Sequence, residues 1–333
     1  MSENFWFDKR ILVTGATGFI GSWLTEDLVA RGAKVSVLTK LDVFGIDAIK
    51  HLTDKVKIFY GDVKDKSTLA PAIAEQEIIF HLAAYSQVLH AIENPTEAFA
   101  VNATGTLNLL EEVRRNNSDS IFVFASTDKV YGEPNYLPID ENHALSAKSP
   151  YDASKLAADR LTYSYFTSYG MNCTISRWSN TIGGRDANIL RAVPDFVTSI
   201  LNNKPPTIRR TGEDIRDYMF VTDAVRGIEL LAEKISLTKG QEFNLGTERP
   251  IKLIELCKLI LRTMDMENKF KPIILGKQIP GEIDKQYLSA KKAKEVLNWK
   301  PEVVLEEGIR KSFDWFSHNK WWEEVMQRVA KSR

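Results

Sequence analysis

The chain has 333 residues, 44% hydrophobic and 26% charged, enough to bury a sizeable core as one large domain or two unequal ones. Lysine plus arginine equals aspartate plus glutamate, at 44 each, so no net charge draws it to nucleic acid or to an anionic membrane. Two cysteines, Cys173 and Cys257, lie far apart in sequence, which argues against a disulfide framework and fits a reducing cytoplasm.

The opening MSENFWFDKRILVTG shows no cationic segment followed by an apolar stretch and a cleavage site, and no apolar run reaches membrane-spanning length. Residues 9–14 predict a buried strand that ends in a glycine turn. A helix follows over Phe19–Ala30, and Gly32 can stop it. Second and third strands fall at Lys34–Thr39 and 56–60, the latter followed by GDVKD. Helical sequence over 69–74 leads to a fourth strand at 77–81, and a longer helix covers 94–116. The fifth strand is 120–125. Pro150 closes the next loop, a long helix covers 151–169, and 173–178 is a sixth strand. Short buried strands separated by helices predict an α/β fold, a Rossmann-type doubly wound parallel sheet covered on both faces.

Beyond Asn180 the pattern loosens. A short helix in VPDFVTSIL runs into two prolines; 217–221 is strand-like and 223–234 helical. Two strand-like pieces, 242–245 and 272–275, and helical stretches near Leu253, Ser289 and Leu305 complete the chain. We expect residues 1–180 to form the large nucleotide-binding domain. Residues 181–333 should form mainly a smaller mixed C-terminal substrate-binding region, with a soft boundary and some segments free to return to the large domain.

Thr14-Gly15-Ala16-Thr17-Gly18-Phe19-Ile20-Gly21 follows a strand and opens a helix. Gly15 can take the tight turn, Gly18 lets backbone approach a pyrophosphate, and Gly21 permits close helix-to-strand packing. The free N–H groups of the first helical turn then meet the phosphate charge. That order of strand, turn, helix and strand points to a dinucleotide held by Gly15, Thr17, Gly18, Phe19, Ile20 and Gly21. At the tip of the second strand, Thr39-Lys40 gives no acidic residue for a ribose diol. Lys40 fits either a solvated surface or a 2′-phosphate, so both NAD and NADP stay open. Asp62, with Val63, follows the third strand and is placed for the adenine amino group or for an ordinary turn.

Tyr151 and Lys155 are four apart at the start of a helix and share a face. An ammonium beside the phenol would favour phenolate and lower the tyrosine pKa from about 10. Tyr151 could then take a proton from an alcohol as hydride leaves its carbon, while Lys155 could also bond a nicotinamide ribose. Ser126 or Thr127, at the carboxyl end of the fifth strand, can donate to the same alcohol. Asp128 and Lys129 follow directly. Hydride transfer needs neither, whereas elimination of water beside a new ketone needs an acid and a base. As a base at neutral pH, Lys129 requires a pKa several units lower; otherwise the two residues make an ion pair that orients the loop.

TGATGFIGSWL, GDVKD, HLAA, STDKVYG, YDASK, RWSNTIGG, RDYMFVTD and LNWKP, in this order, resemble the extended short-chain dehydrogenase/reductase family in its sugar-nucleotide epimerase and dehydratase branch. The resemblance covers nearly the whole chain. FWFDKRILVTGATGFIGSWL and the TDK segment are most similar to CDP-glucose 4,6-dehydratases, which carry lysine where dTDP-glucose and GDP-mannose dehydratases carry glutamate. GEDIRDYMFVTD is worded more like the epimerases and other dehydratases. The resemblance implies that Thr127 holds a C4 hydroxyl, Asp128 expels the C6 hydroxyl and Lys129 removes the C5 proton. Tyr151 would be the C4 base, with Lys155 beside it. It further implies Leu82, Ala83, Ala84, Asn102 and Ser126 at a tightly kept, recycled cofactor, with NAD slightly ahead of NADP because the resembling branch uses NAD without an acidic strand tip. Tyr85, Ser126, Thr127, Asn180 and Arg216 fall at the sugar nucleotide, and His81 in a structural place. No metal is implied. A homodimer or dimer of dimers, paired partly through the 151–169 helix, is implied as well. A 4-epimerase or 4-oxidoreductase on a sugar nucleotide is the alternative activity.

Overall fold

Seven short, mostly buried strands form one parallel sheet in the computed structural model, which describes residues 4–40, 46–277, 282–319 and 324. They are β1 (Arg10–Thr14), β2 (Lys34–Thr39), β3 (Lys57–Tyr60), β4 (Ile78–His81), β5 (Ile121–Ala125), β6 (Asn172–Trp178) and β7 (Glu242–Leu245). The order is β7-β6-β5-β4-β1-β2-β3, and every neighbouring pair is parallel. Successive side chains feed opposite faces. Ile11, Val13, Ile78, Phe80 and Val123 join one apolar cluster, while Leu12, Ile79, Phe122 and Phe124 join the other. Burial on both faces explains why these strands read as continuous apolar runs instead of alternating ones. The 242–245 piece, expected in the smaller region, joins the large sheet beside β6.

Helices cover both faces. They are α1 (Phe19–Ala30), α2 (Gly105–Asn116), α3 (Pro150–Tyr169), α4 (Ala192–Leu201), α5 (Val221–Glu233), α6 (Leu253–Thr263) and α7 (Leu305–His318). Leu24 and Leu28 of α1 and Val225 and Ile228 of α5 share the first cluster; Leu109 and Val113 of α2 and Ala158 of α3 share the second. The long helix expected over 94–116 is in fact Pro95–Phe99, a π-helical turn Ala100–Thr104, and then α2. A mid-helix π turn shifts the side chains that follow it, and such turns favour functional sites. Small two-stranded sheets lie outside the main one: Asn180–Ile182 with Tyr218–Phe220, Ile215–Arg216 with Ile251–Lys252, and Thr207–Ile208 with Ile273–Ile274. Among the described residues no helix is long and apolar enough to cross a membrane. Cys173 and Cys257 are buried, free thiols.

The strand order reverses between β1 and β4, and that is where a crevice opens at the strand ends. His81 pins the two edges together. Its Nδ1 lies 2.7 Å from Thr14 Oγ1 and its Nε2 lies 2.9 Å from Thr106 Oγ1. Thr106 already donates to the Asn102 carbonyl, so it accepts from His81, which fixes the proton on Nε2. Burial, with Lys155 nearby, pushes the imidazole down to about 3 and keeps it neutral.

Candidate active site

The glycine turn is built by close approach. Gly15 has φ +73°, and a Cβ there would stand 2.7 Å from the Ala83 nitrogen. A Cβ on Gly21 would stand 2.1 Å from the Gly15 carbonyl oxygen. Gly18 is the N-cap of α1 and supplies no side-chain cap, so the first N–H groups of that helix remain for an anion. The crevice beside this turn encloses about 550 Å³. Thr17, Phe19, Ile20, Thr39, Lys40, Asp62 and Val63 line it, together with Leu82, Ala83, Ala84, Ser126, Tyr151 and Lys155. This backbone cradle fits a dinucleotide. Thr17 Oγ1 and Thr39 Oγ1 are 3.3 Å apart, and the Lys40 ammonium lies 3.9 Å from Asp62. Leu41 and Asp42, next after the strand tip, lie outside the described residues.

Asn102 does not line this crevice. It is buried behind the wall, where its amide accepts from Tyr85 N at 2.7 Å and donates to Ser154 Oγ at 2.8 Å. It therefore shapes the segment that carries Tyr85, whose own side chain lines the dinucleotide crevice and not the neighbouring cavity.

Tyr151 and Lys155 are placed by the start of α3. Ser149 Oγ accepts from Asp152 N, and the Asp152 carboxylate accepts from Ser149 N; this reciprocal cap precedes Pro150 at the first helical position. Gly170, at φ 70°, ends the helix. Tyr151 thus sits in the first turn and Lys155 one turn on, as the spacing requires. The electrostatics differ from expectation. Lys155 Nζ donates to the Ala125 carbonyl at 2.6 Å and lies 4.2 Å from the Phe124 ring centroid. Burial pushes this ammonium down to about 7. Burial also pushes the Tyr151 phenol up to about 12, with Arg191 the largest influence in the other direction. The phenol is raised here, not lowered by Lys155.

A second cavity of about 390 Å³ adjoins the first. Ser126, Thr127, Asp128, Lys129, Tyr151, Asn180 and Arg216 all line it. Thr127 caps the turn Asp128–Tyr131: its hydroxyl accepts from Lys129 N at 3.3 Å and donates to Asp128 Oδ1 at 3.1 Å. The Lys129 ammonium is 3.7 Å from Asp128 Oδ2. That oxygen is buried and makes no hydrogen bond among the described residues. Gln286 grips the turn from 158 residues away. It accepts from Lys129 Nζ and donates to the Asp128 carbonyl at 2.9 Å. Behind these residues lies buried Asp217, pushed up to about 7 by burial, with Asp128 adding to the rise.

Ser126 cannot donate to a ligand while its hydroxyl donates to Asp159 at 2.7 Å. Asp159 also takes two 3.0 Å bonds from Arg177, which donates to Tyr131 at 2.9 Å. Tyr131 in turn donates to Asn244 of β7 at 2.7 Å. Ser126 is thus an acceptor, and Thr127 can donate to a ligand only by giving up its longer, 3.1 Å bond to Asp128. Arg216 spends its guanidinium largely on Glu282, at 2.9 Å, and on backbone carbonyls. Asn180 Nδ2 lies 3.5 Å from the Asp217 carbonyl. Sequence reasoning missed Gln286, Asp159, Arg177 and Arg191. The one available signal was polar Arg177 inside an apolar strand.

This crevice, cradle and tyrosine-lysine helix are those of an NAD(P)-binding Rossmann enzyme. A family model described as GDP-mannose 4,6 dehydratase matches residues 12–312. The chain belongs to the sugar-nucleotide epimerase and dehydratase family of extended short-chain dehydrogenases. It is 33% identical over 316 residues to a putative UDP-glucose 4-epimerase of Methanocaldococcus jannaschii, covering 93% of this chain and 99% of that protein. It is 30% identical to the CDP-paratose 2-epimerase of Salmonella typhi, covering 92% and 99%. The crystal structure of a dTDP-glucose 4,6-dehydratase from Streptomyces venezuelae, with NAD bound, superposes with a TM-score of 0.87 at 26% identity, covering 95% of this chain and 99% of that one.

Proposed function

We propose that this protein is an NDP-hexose 4,6-dehydratase, with CDP-glucose the favoured substrate, and that it yields an NDP-4-keto-6-deoxyhexose. One observation carries the reading. Asp128, with a buried oxygen that makes no hydrogen bond among the described residues, and Lys129, 3.7 Å from it, line the same cavity as Thr127 and Tyr151. Thr127 would hold the C4 hydroxyl while Tyr151 takes its proton. The C4 ketone then acidifies the C5 hydrogen, which Lys129 removes. Asp128 donates a proton to the C6 hydroxyl, which leaves as water. Gly15, Gly18, Gly21, Thr17, Asp62 and Lys155 would hold the cofactor, which supplies only a hydride acceptor and, at the end, a donor. NAD is favoured over NADP, because Lys40 already has Asp62 beside it.

The contact of Lys129 with Gln286 favours a second reading, a 4-epimerase or 4-oxidoreductase. A latched ammonium next to Asp128 serves such an enzyme as a loop-orienting pair, and Tyr151, Thr127 and Lys155 suffice for its chemistry. Incubation with CDP-, UDP-, GDP- and dTDP-hexoses separates the two. Loss of one water identifies the dehydratase; unchanged mass with new stereochemistry identifies the epimerase. In Asp128→Asn we expect water loss to fall by roughly 10²–10⁴ while C4 oxidation persists. Full dehydratase turnover by that variant refutes the role given to Asp128. We further propose a cytoplasmic homodimer or dimer of dimers. Exposed Tyr163 and Tyr169 on α3 support a contact through that helix, and light scattering in solution tests it.

A further inference from the structure

Residues 183–191 connect the strand Asn180–Ile182 to α4, and they fold back on themselves around two side chains. Asp186 Oδ1 accepts from Asn188 N at 3.2 Å, and Asn188 Oδ1 accepts from Leu190 N at 3.0 Å. Arg191 N donates to the Asn188 carbonyl at 3.0 Å, and Trp23 Nε1 clamps the Gly184 carbonyl at 2.9 Å. The loop is thereby tied at both ends. From its last residue the Arg191 side chain reaches back to Asp186, with Nη1 3.1 Å from Oδ2. Asp186 is 2% exposed, while the Arg191 side chain is 41% exposed, into the cleft. Arg191 and Tyr151 both line both cavities, so they stand together where the two meet.

The site needs a cation at this point. Loss of the phenol proton leaves a negative oxygen in a buried place, which is costly unless an opposite charge lies near. Lys155 points into the Ala125 carbonyl and the Phe124 ring. Asp152 follows Tyr151 on its own helix, while Thr127, Asp128 and Lys129 from the turn after β5 and Arg191 from the loop line the cavity that Tyr151 lines. Both carboxylates oppose ionisation; Lys129 is taken up by Asp128 and Gln286, and Arg191 favours ionisation. Arginine also keeps its charge at any working pH, which a buried lysine does not.

We propose that Arg191, aimed by Asp186, is a positioning residue that stabilises the phenolate of Tyr151 during proton transfer. The proposal rests on the reading of Tyr151 as the C4 base. In the step, the O–H bond of the C4 hydroxyl breaks and a new O–H bond forms on the Tyr151 oxygen. The negative charge that Arg191 faces disappears as the proton arrives, so its charge stabilises the base beforehand.

The test compares Arg191→Met, Arg191→Lys and Asp186→Asn with the unchanged enzyme, using NAD and the NDP-hexose turned over in the mass assay. The acid limb of kcat/KM in Arg191→Met should move up by about one pH unit. Activity should return at high pH, Arg191→Lys should restore most of the original profile, and Asp186→Asn should shift it less, in the same direction. The same movement is read without turnover from the ¹³Cζ resonance of labelled Tyr151, assigned by its loss in Tyr151→Phe. Its alkaline onset should rise in Arg191→Met. A raised KM with an unmoved midpoint would make Arg191 a substrate-anion contact and overturn the proposal. If Arg191→Met fails to fold, an unmoved midpoint in Asp186→Asn overturns it equally. Retained turnover in Tyr151→Phe sinks the reading of the base as well; an inactive Tyr151→Phe with an unmoved midpoint in Arg191→Met sinks this proposal alone.

Discussion

Replacing Glu229 by glutamine should stabilise this protein, and increasingly so as pH rises. Glu229 lies on α5 with 2% exposure, facing Asp27 and Arg31 of α1; Arg31 Nη2 is 3.4 Å from Glu229 Oε2. Burial, with Asp27 adding to it, pushes the Glu229 carboxyl up to about 9. The native state thus holds a proton that the unfolded chain releases above the ordinary carboxylate value. A raised pKa gives stability that is complete below the unfolded value and is lost as pH climbs through the native one. Between about pH 5 and about pH 8 the loss is roughly three pH units at 1.36 kcal/mol each, or up to about 4 kcal/mol. Glutamine keeps the shape and cannot titrate. The assay is urea unfolding of both proteins at several pH values across that range. Taking the difference between them cancels every other titrating group. We expect the advantage of Glu229→Gln to be small in acid and to grow toward alkaline pH. A difference that stays flat would mean that Glu229 is ionised in the native state and paired with Arg31, and the reasoning would fail.

Other perturbations follow from contacts already described. Gly21→Ala places a methyl 2.1 Å from the Gly15 carbonyl oxygen, so the turn must open; overpacking of about 1–3 kcal/mol predicts roughly five- to 150-fold weaker NAD binding by calorimetry. Unchanged affinity would show that this turn does not carry the cofactor. Asp159→Ala strands buried Arg177 without its carboxylate and should cost about 3–5 kcal/mol in denaturant unfolding. A loss under about 1 kcal/mol would mean that Arg177 finds another partner, with Glu242 3.8 Å away the candidate.

What the sequence made legible is local. The bounds of α1 were readable because a glycine turn precedes it, and those of α3 because Ser149-Pro150 and Gly170 flank it. The spacing of Tyr151 and Lys155 is a property of any helix. Direction is not. Once Lys155 leaves its helix, the Ala125 carbonyl of β5 decides where it points, and that carbonyl comes from 30 residues earlier. Ser126 looked like a donor for the same reason; Asp159, a turn further along α3 than Lys155, accepts its hydrogen bond. Asn102 drew notice for its place in the family order, yet the π turn turns it into the wall behind Tyr85.

The segment 242–245 shows why these misses cluster around one place. Read alone it is a short strand in a loosely patterned tail. Seated beside β6, it delivers Asn244 to Tyr131, at the end of the turn that bears Asp128 and Lys129. Asn244 also donates to the Ile139 carbonyl at 3.0 Å, so the loop after that turn is held as well. Gln286 completes the arrangement from a further segment. The chemistry-bearing turn is therefore fixed by chain that lies more than a hundred residues downstream. Its residue types are visible in STDKVYG, but its rigidity comes from pairings that no local pattern encodes. A site that must hold an acid, a cation and a phenol in fixed relation has most reason to use such distant anchors, because a loop on its own local bonds would let them drift.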